Sequence, residues 1–369
     1  MKAGPPPSAP ASRIAVAPRK SKVTVADYQL VLFTRQLATM YKAGIAIVRS
    51  LEVLAHQTES PNFQMVTFAI NSDLLKGKSF SAALSQYPRI FNPLYLSMVR
   101  IGEMEGDLGE TMERIADFLE RDYAMRKKVR SAMTYPVVVF IFSLAVAFFM
   151  FNYLLPHFVK IFEEMHADLP LVTRVLMGMV KVAQSPWFML GMPAFLVLWY
   201  VQFKKYVDTD IGRWRFDQLK LSLPIFGLIF RKVAIARMCR SLGVLVTAGI
   251  NTILAMEMAG RASGNEVIRL HMVRAAEAIA NGKPLSVTFR TDDALFPKIV
   301  QHMVGAGEES GKMDAMLDKL ANYYEVEVNH ALNDLASMLE PLLILFTGIV
   351  VGFIVLAIFM PLYGFLNQM

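Results

Sequence analysis

The sequence predicts an all-α polytopic membrane protein with two repeated cytoplasmic helical-bundle domains and three transmembrane helices. Three observations carry that expectation: a charge-free apolar run behind a basic cluster, an internal repeat in constant register, and the want of any convincing alternating strand pattern. The run Val137 to Leu155 reads VVVFIFSLAVAFFMFNYLL, has Ser143 and Asn152 as its clearly polar members, and follows Arg126, Lys127, Lys128 and Arg130. At about 1.5 Å of rise per residue it approaches the roughly 30 Å of a hydrocarbon core. Composition agrees, because 54% hydrophobic residues, 25 Phe and a mean hydropathy of +0.40 are too apolar for an ordinary soluble chain of 369 residues.

Taken in order, residues 1–26 hold Lys2, Arg13, Arg19, Lys20 and Lys22 and no acid, so much of the net charge of +7 is informative through its location. Such a leader is attracted to anionic headgroups, but its Pro/Ala-rich composition buries too little apolar surface to order, and disorder is the expectation. It lacks the apolar core of a cleavable signal peptide. From Asp27, apolar Leu30, Phe33, Leu37, Met40 and Tyr41 recur at helical spacing, and a break at Ala43-Gly44 follows. Helical spacing resumes through Ile47, Leu51 and Leu54, stops at Ser60-Pro61, and returns from Phe63 to Leu75 before Lys76-Gly77-Lys78. Two further helical stretches flank Tyr87-Pro88 and Asn92-Pro93, ending in Gly102-Glu103-Met104-Glu105-Gly106. Gly102 and Gly106 suit left-handed helix ends, and Asp107 with Glu110 forms a capping pattern for a long helix that climbs through Pro136 into the first span. Asp122 and Arg126 stand four apart on it as a supporting ion pair.

Laid over itself with a shift of 205 residues, the chain repeats. Arg35 falls on Arg240, Ala43-Gly44-Ile45 on Ala248-Gly249-Ile250, Gly77 on Gly282, Gly102-Glu103 and Gly106 on Gly307-Glu308 and Gly311, Glu120 on Glu325, Pro136 on Pro341 and Pro156 on Pro361. A gapless match of this length is far harder to obtain by chance than any short motif. Between the copies lies an uncharged second segment, Val182 to Phe203, interrupted by Pro186 and Pro193, with Trp187 and Trp199-Tyr200 near its ends like interfacial anchors. A third charge-free stretch runs from Pro341 to the end. Basic residues before the first span and after the second (Lys204, Lys205, Arg213, Arg215) place both repeated domains and the N-terminus in the cytoplasm, and the C-terminus in the periplasm. The expected division is a leader at 1–26, a first cytoplasmic domain at 27–130, the first span at 131–156, a short periplasmic segment at 157–184 and the second span at 185–203. A cytoplasmic connector at 204–231, the second domain at 232–338, and the third span with its periplasmic end at 339–366 complete it.

Catalytic, cofactor and metal chemistry is not expected. Cys239 stands alone, so an internal disulfide and any zinc site needing two thiolates are impossible. Lys76-Gly77-Lys78-Ser79 lacks the earlier glycine of a phosphate loop, because Ser72 holds that place. Gly305-Ala306-Gly307 lacks the third glycine of a dinucleotide fingerprint and follows a helix instead of a strand. The six histidines include no pair at metal-ligand spacing on one helix. The span cores hold no ionisable residue, which weighs against a small membrane transporter or receptor, the reading of another class. One polar constellation remains: Glu103, Glu105, Glu308 and Glu309 beside glycines at a repeated interhelical turn, able to dock a partner or a hard cation. Turn carboxylates more often bond nearby backbone amides, and that reading is favoured. Gly44 and Gly249 likewise read as turn or close-packing glycines.

These residues carry a resemblance. Phe33-Thr-Arg-Gln-Leu-Ala-Thr-Met40 with Ala43-Gly44-Ile45, the matching Arg240 to Ile250 stretch, both Gly-Glu turns, Leu169-Pro-Leu-Val-Thr-Arg174 and Leu223-Pro-Ile-Phe-Gly227 resemble the GspF/PilC family of inner-membrane platform proteins, nearer its pilus branch. The likeness runs from about Ala26 to the C-terminus. It implies a non-enzymatic machine part without cofactor, whose cytoplasmic domains form six-helix bundles, self-associate into a homo-oligomer and dock on a hexameric assembly or retraction ATPase. It further implies pilin subunits and other inner-membrane pilus alignment proteins as partners, and no nucleic acid. A type II secretion platform that builds a pseudopilus for protein export is the alternative within the same fold.

Overall fold

The computed structural model describes residues 23–154, 156, 157, 178, 185–290 and 295–366, and every element among them is helical. Nearly all of the leader and of the expected periplasmic segment lie outside the described residues. The first copy comprises α1 (Asp27–Lys42), α2 (Ile47–Gln57), α3 (Pro61–Leu75), α4 (Phe80–Leu84), α5 (Pro93–Glu105) and α6 (Leu108–Phe149), which passes through Pro136 and ends in a π-helical turn, Met150–Leu154. Next come α7 (Pro186–Val207) and α8 (Asp210–Ser222), and then the second copy: α9 (Phe226–Thr247), α10 (Thr252–Ala262), α11 (Glu266–Ala280), α12 (Leu285–Phe289), α13 (Lys298–Ser310) and α14 (Met313–Leu366). Every boundary from the end of α1 to the start of α6 recurs in the second copy at the shift that aligns the sequences, so Ile47–Gln57 answers to Thr252–Ala262 and Pro93–Glu105 to Lys298–Ser310.

Local chemistry sets these boundaries. Ser60 Oγ accepts from Phe63 N–H at 3.4 Å and Asn92 Oδ1 from Tyr95 N–H at 2.9 Å, each followed by proline at the first helical position, where no N–H is needed. Asp107 Oδ1 accepts from Glu110 N–H at 3.1 Å, the capping expected for α6. Left-handed glycines end the paired helices: Gly44 and Gly249 (φ +83° and +70°), Gly77 and Gly282 (+84° and +78°), and Gly106 and Gly311 (+75° and +67°).

The chain forms two compact units. The first draws on Met1–Ala124, Arg237–Ala262 and Met272–Leu320 and so contains most of both repeated bundles. Phe33 packs edge-on to Phe63 at 5.1 Å in the first copy, and Phe289 to Phe296 at 4.7 Å in the second. The second unit draws on Met125–Ala236, Ser263–His271 and Ala321–Met369. There Ile229, Val328, Ala331, Leu332 and Leu335 are buried against Val129, Met133 and Val233, joining α6, α9 and α14. Further along the same helices Ser143 and Thr347 share a hydrogen bond of 3.1 Å, and Phe140 meets Phe346 at 5.6 Å. Among the described residues two helices are long and apolar enough to cross a membrane, Leu108–Phe149 and Met313–Gly352, while the expected span at 185–203 falls on α7.

The connector expected at 204–231 is itself helical, and its boundary with the second domain falls inside α9. Asp217 on α8 is buried and accepts from Glu266 N–H at 2.8 Å, so α8 caps α11 from a distance in sequence. The α8–α9 turn is strained: Ile225, a β-branched residue, sits at φ +66°. Gly227 closes it, since a Cβ there would stand 2.4 Å from the Leu221 carbonyl oxygen.

Candidate functional site

The two Gly-Glu turns join α5 to α6 and α13 to α14, and they are built alike. Glu103 takes the backbone N–H groups of Phe80 on Oε1 and of Ser81 on Oε2, the latter at 3.0 Å. Glu308 takes those of Leu285 at 2.6 Å and Ser286 at 3.0 Å. Each carboxylate thus straddles the first turn of a five-residue helix, α4 or α12, satisfying N–H groups that have no partner inside the helix. Burial pushes the Glu308 carboxyl up, but the N–H groups of Ser286 and Leu285 and the Ser286 hydroxyl outweigh it and hold it below the usual glutamate range.

The glycines divide into two jobs. Gly106 and Gly311 take the left-handed conformation that ends α5 and α13. Gly102, expected at a left-handed end as well, lies buried inside α5, where a Cβ would stand 2.6 Å from Thr111 Oγ1. Its requirement is space against α6, not a positive φ. Gly307 is buried in α13 in the same way, its missing Cβ 3.2 Å from Met313 Cα and Met316 Cβ. Glu105, Glu308 and Glu309 are exposed, and of these three Glu308 is the one that binds backbone N–H groups.

The other repeated residues serve the scaffold. Arg35 grips both oxygens of Glu120 at 2.6 and 2.7 Å and also bonds Asp117, and these partners hold its guanidinium well above its ordinary basicity. Arg240 pairs with Asp318 from α14. Pro136 and Pro341 lie within α6 and α14. Cys239 is fully buried, and burial pushes its thiol up. No cluster of three or more metal-ligating side chains occurs among the described residues.

What the residues taken singly did not disclose is the partner of each turn glutamate. The signal was present in the repeat: Glu103 and Glu308 keep the same separation from the starts of α4 and α12, as a fixed cap requires. The groove along Arg114, Asp117, Arg121, Arg240, Asp314 and Asp318 also went unforeseen. It lies where α6 of the first copy runs beside α9 and α14 of the second. Its mixed signs suit a join between copies better than a charged ligand.

A family profile described as type II secretion system (T2SS), protein F matches twice, over residues 33–156 and 238–361. The chain is 38% identical over 343 residues to the type IV pilus assembly protein PilC of Thermus thermophilus, covering 92% of this chain and 83% of that protein. It is 34% identical over 335 residues to the PilC of Myxococcus xanthus, covering 91% and 80%. To the type II secretion system protein F of Pseudomonas aeruginosa it is 32% identical over 340 residues, covering 92% and 83%. With two profile matches in the register of its own repeat, this chain belongs to the type II secretion system protein F family.

Proposed function

We propose that this chain is the inner-membrane platform of a type IV pilus assembly machine, coupling a cytoplasmic hexameric ATPase to pilin extraction and fibre growth. The observation that carries the reading is the duplicated family domain, together with relatives named as PilC over most of both chains. The pilus branch is preferred because the higher identities are to proteins so named, at 38% and 34%, against 32% for the secretion protein. Pseudopilus assembly for protein export is the second reading, favoured by that same relative. The division of labour is mechanical, not enzymatic. Two helical bundles, each continuing through a long helix, α6 or α14, into an apolar segment, give a way to carry a push or turn from soluble domains into the bilayer.

In this proposal α7 is a third span, the bundles are cytoplasmic, and the C-terminus is periplasmic. The platform is a homo-oligomer, and pilin helices and alignment proteins meet it through the spans. The ATPase docks at the Gly-Glu turns of both copies. Glu103 and Glu308 are committed to backbone N–H groups, so the docking charge is that of Glu105 and Glu309 on turns shaped by Gly102, Gly106, Gly307 and Gly311. The test is joint reversal, Glu105→Lys with Glu309→Lys, in the purified full-length protein. Loss of binding to the assembly ATPase encoded beside it, with the helical content intact, supports docking there. Unchanged binding excludes those turns.

A further inference from the structure

The two copies of the fold meet in the first compact unit through non-equivalent faces. Arg114 Nη1 on α6 donates to the carbonyl of Thr247, the last residue of α9, at 3.1 Å, and Arg237 Nε donates to Asp122 Oδ1 at 2.8 Å. Glu105 reaches to 3.9 Å from where a Cβ of Gly249 would be. The contact is therefore heterologous: the α5–α6 face of the first copy lies on α9 and the α9–α10 turn of the second. A heterologous contact between two like bodies leaves each with the complementary face unused.

The unused faces are visible in paired burial. Ala248-Gly249-Ile250 and Ala43-Gly44-Ile45 have the same sequence and the same left-handed glycine. Ile250 is 6% exposed and Ile45 is 40% exposed. Arg240 is 8% exposed and Arg35, its twin, 30%. On the opposite face, Phe118 of α6 is 7% exposed, while its twin Tyr323 on α14 is 43% exposed. The chemistry also changes in step on the two unused faces. Arg121 lines the groove at the occupied contact and Arg237 pairs with Asp122 across it, and their twins, Val326 and Leu32, are both exposed and apolar. Lys319 keeps the cation that Arg114 supplies at the end of α9. Large apolar residues left in water on two faces related by the repeat mark a contact still to be made.

We infer that α14 of one copy, through Lys319, Tyr323 and Val326, seats on α1 and the Ala43–Ile45 turn of a second copy of this chain, reproducing between chains the join that α6 makes within one. The inference deepens the homo-oligomer reading above, on which it rests, and is indifferent to whether the fibre is a pilus or a pseudopilus.

Cross-linking in the full-length protein tests this, since Cys239 is fully buried and gives a silent background. Membranes carrying two differently tagged copies, one Leu32→Cys and one Val326→Cys, are treated with a short bismaleimide, and mass is followed by light scattering. A product containing both tags, with none from either variant alone, is expected. Cross-linking within a single-variant sample would mean a like-to-like contact and would overturn the inference. Assembly by mass with no mixed product would do the same and leave self-association standing; monomers throughout would sink both. As a second measurement, Leu32→Glu or Val326→Lys singly should weaken association roughly tenfold, and the pair should restore it. Failure of the pair to restore it would count against direct apposition of those residues.

Discussion

Replacing Glu308 with alanine removes both acceptors that hold the first N–H groups of α12, at 2.6 and 3.0 Å, without touching the apolar core. Two charge-assisted bonds at a helix start, on a side chain that solvent reaches, are worth about 1–2 kcal/mol. That is roughly a 5–30-fold rise in local opening. Hydrogen exchange at Leu285 and Ser286 in the detergent-solubilised protein reads it directly, and the Glu103 cap on Phe80 and Ser81 in the same molecule serves as an internal control. The pH dependence has a fixed sign. Because the folded Glu308 carboxyl lies below the ordinary value of 4.5, its contribution is complete above that value and is lost as pH falls through the depressed one. Glu308→Ala should remove this acid-sensitive component. Exchange at Leu285 and Ser286 that does not change on substitution, or a protective effect that grows on acidification, would refute the capping argument.

Other outcomes follow from the same geometry. Gly102→Ala would force a Cβ to 2.6 Å from Thr111 Oγ1 and should cost about 1–3 kcal/mol, seen as a lower Tm, whereas Gly348→Ala, with nothing within 4 Å, should be neutral within about 0.5 kcal/mol. Gly311→Ala places a Cβ at φ +67° and should cost about 1 kcal/mol in denaturant titration. Ile250→Ala should destabilise the monomeric chain by about 2–4 kcal/mol and Ile45→Ala by less than about 1, because one twin is buried and the other is not. Cysteines placed at His157 and Tyr206 should react with a membrane-impermeant maleimide from opposite sides of the membrane; labelling of both from one side would contradict the proposed topology.

Much of the fold was legible because the repeat supplied a second reading of each weak signal. Breakers such as Ser60-Pro61 and Asn92-Pro93 fixed helix starts through caps that depend on neighbours three residues away. Glycine was harder. A glycine is required either for a positive φ or for the space its missing Cβ leaves, and composition cannot separate Gly106 from Gly102. Long-range partners were invisible for a related reason: the N–H groups that Glu103 and Glu308 accept are more than twenty residues away, and Asp217 caps Glu266 from another helix. The helical connector α8 hid behind a charged composition whose apolar stripe is short. The unequal burial of Ile45 and Ile250 is not legible in the Ala-Gly-Ile tripeptide that both copies share.

The central claim is that two like bundles receive force in the cytoplasm and pass it to the membrane. Its most direct measurement is binding of the purified full-length protein to the assembly ATPase encoded beside it, with ATP turnover followed in the same samples. The account predicts tight binding, altered turnover, and loss of both in the Glu105→Lys, Glu309→Lys double variant. An ATPase that neither binds the intact platform nor changes its turnover would contradict the claim.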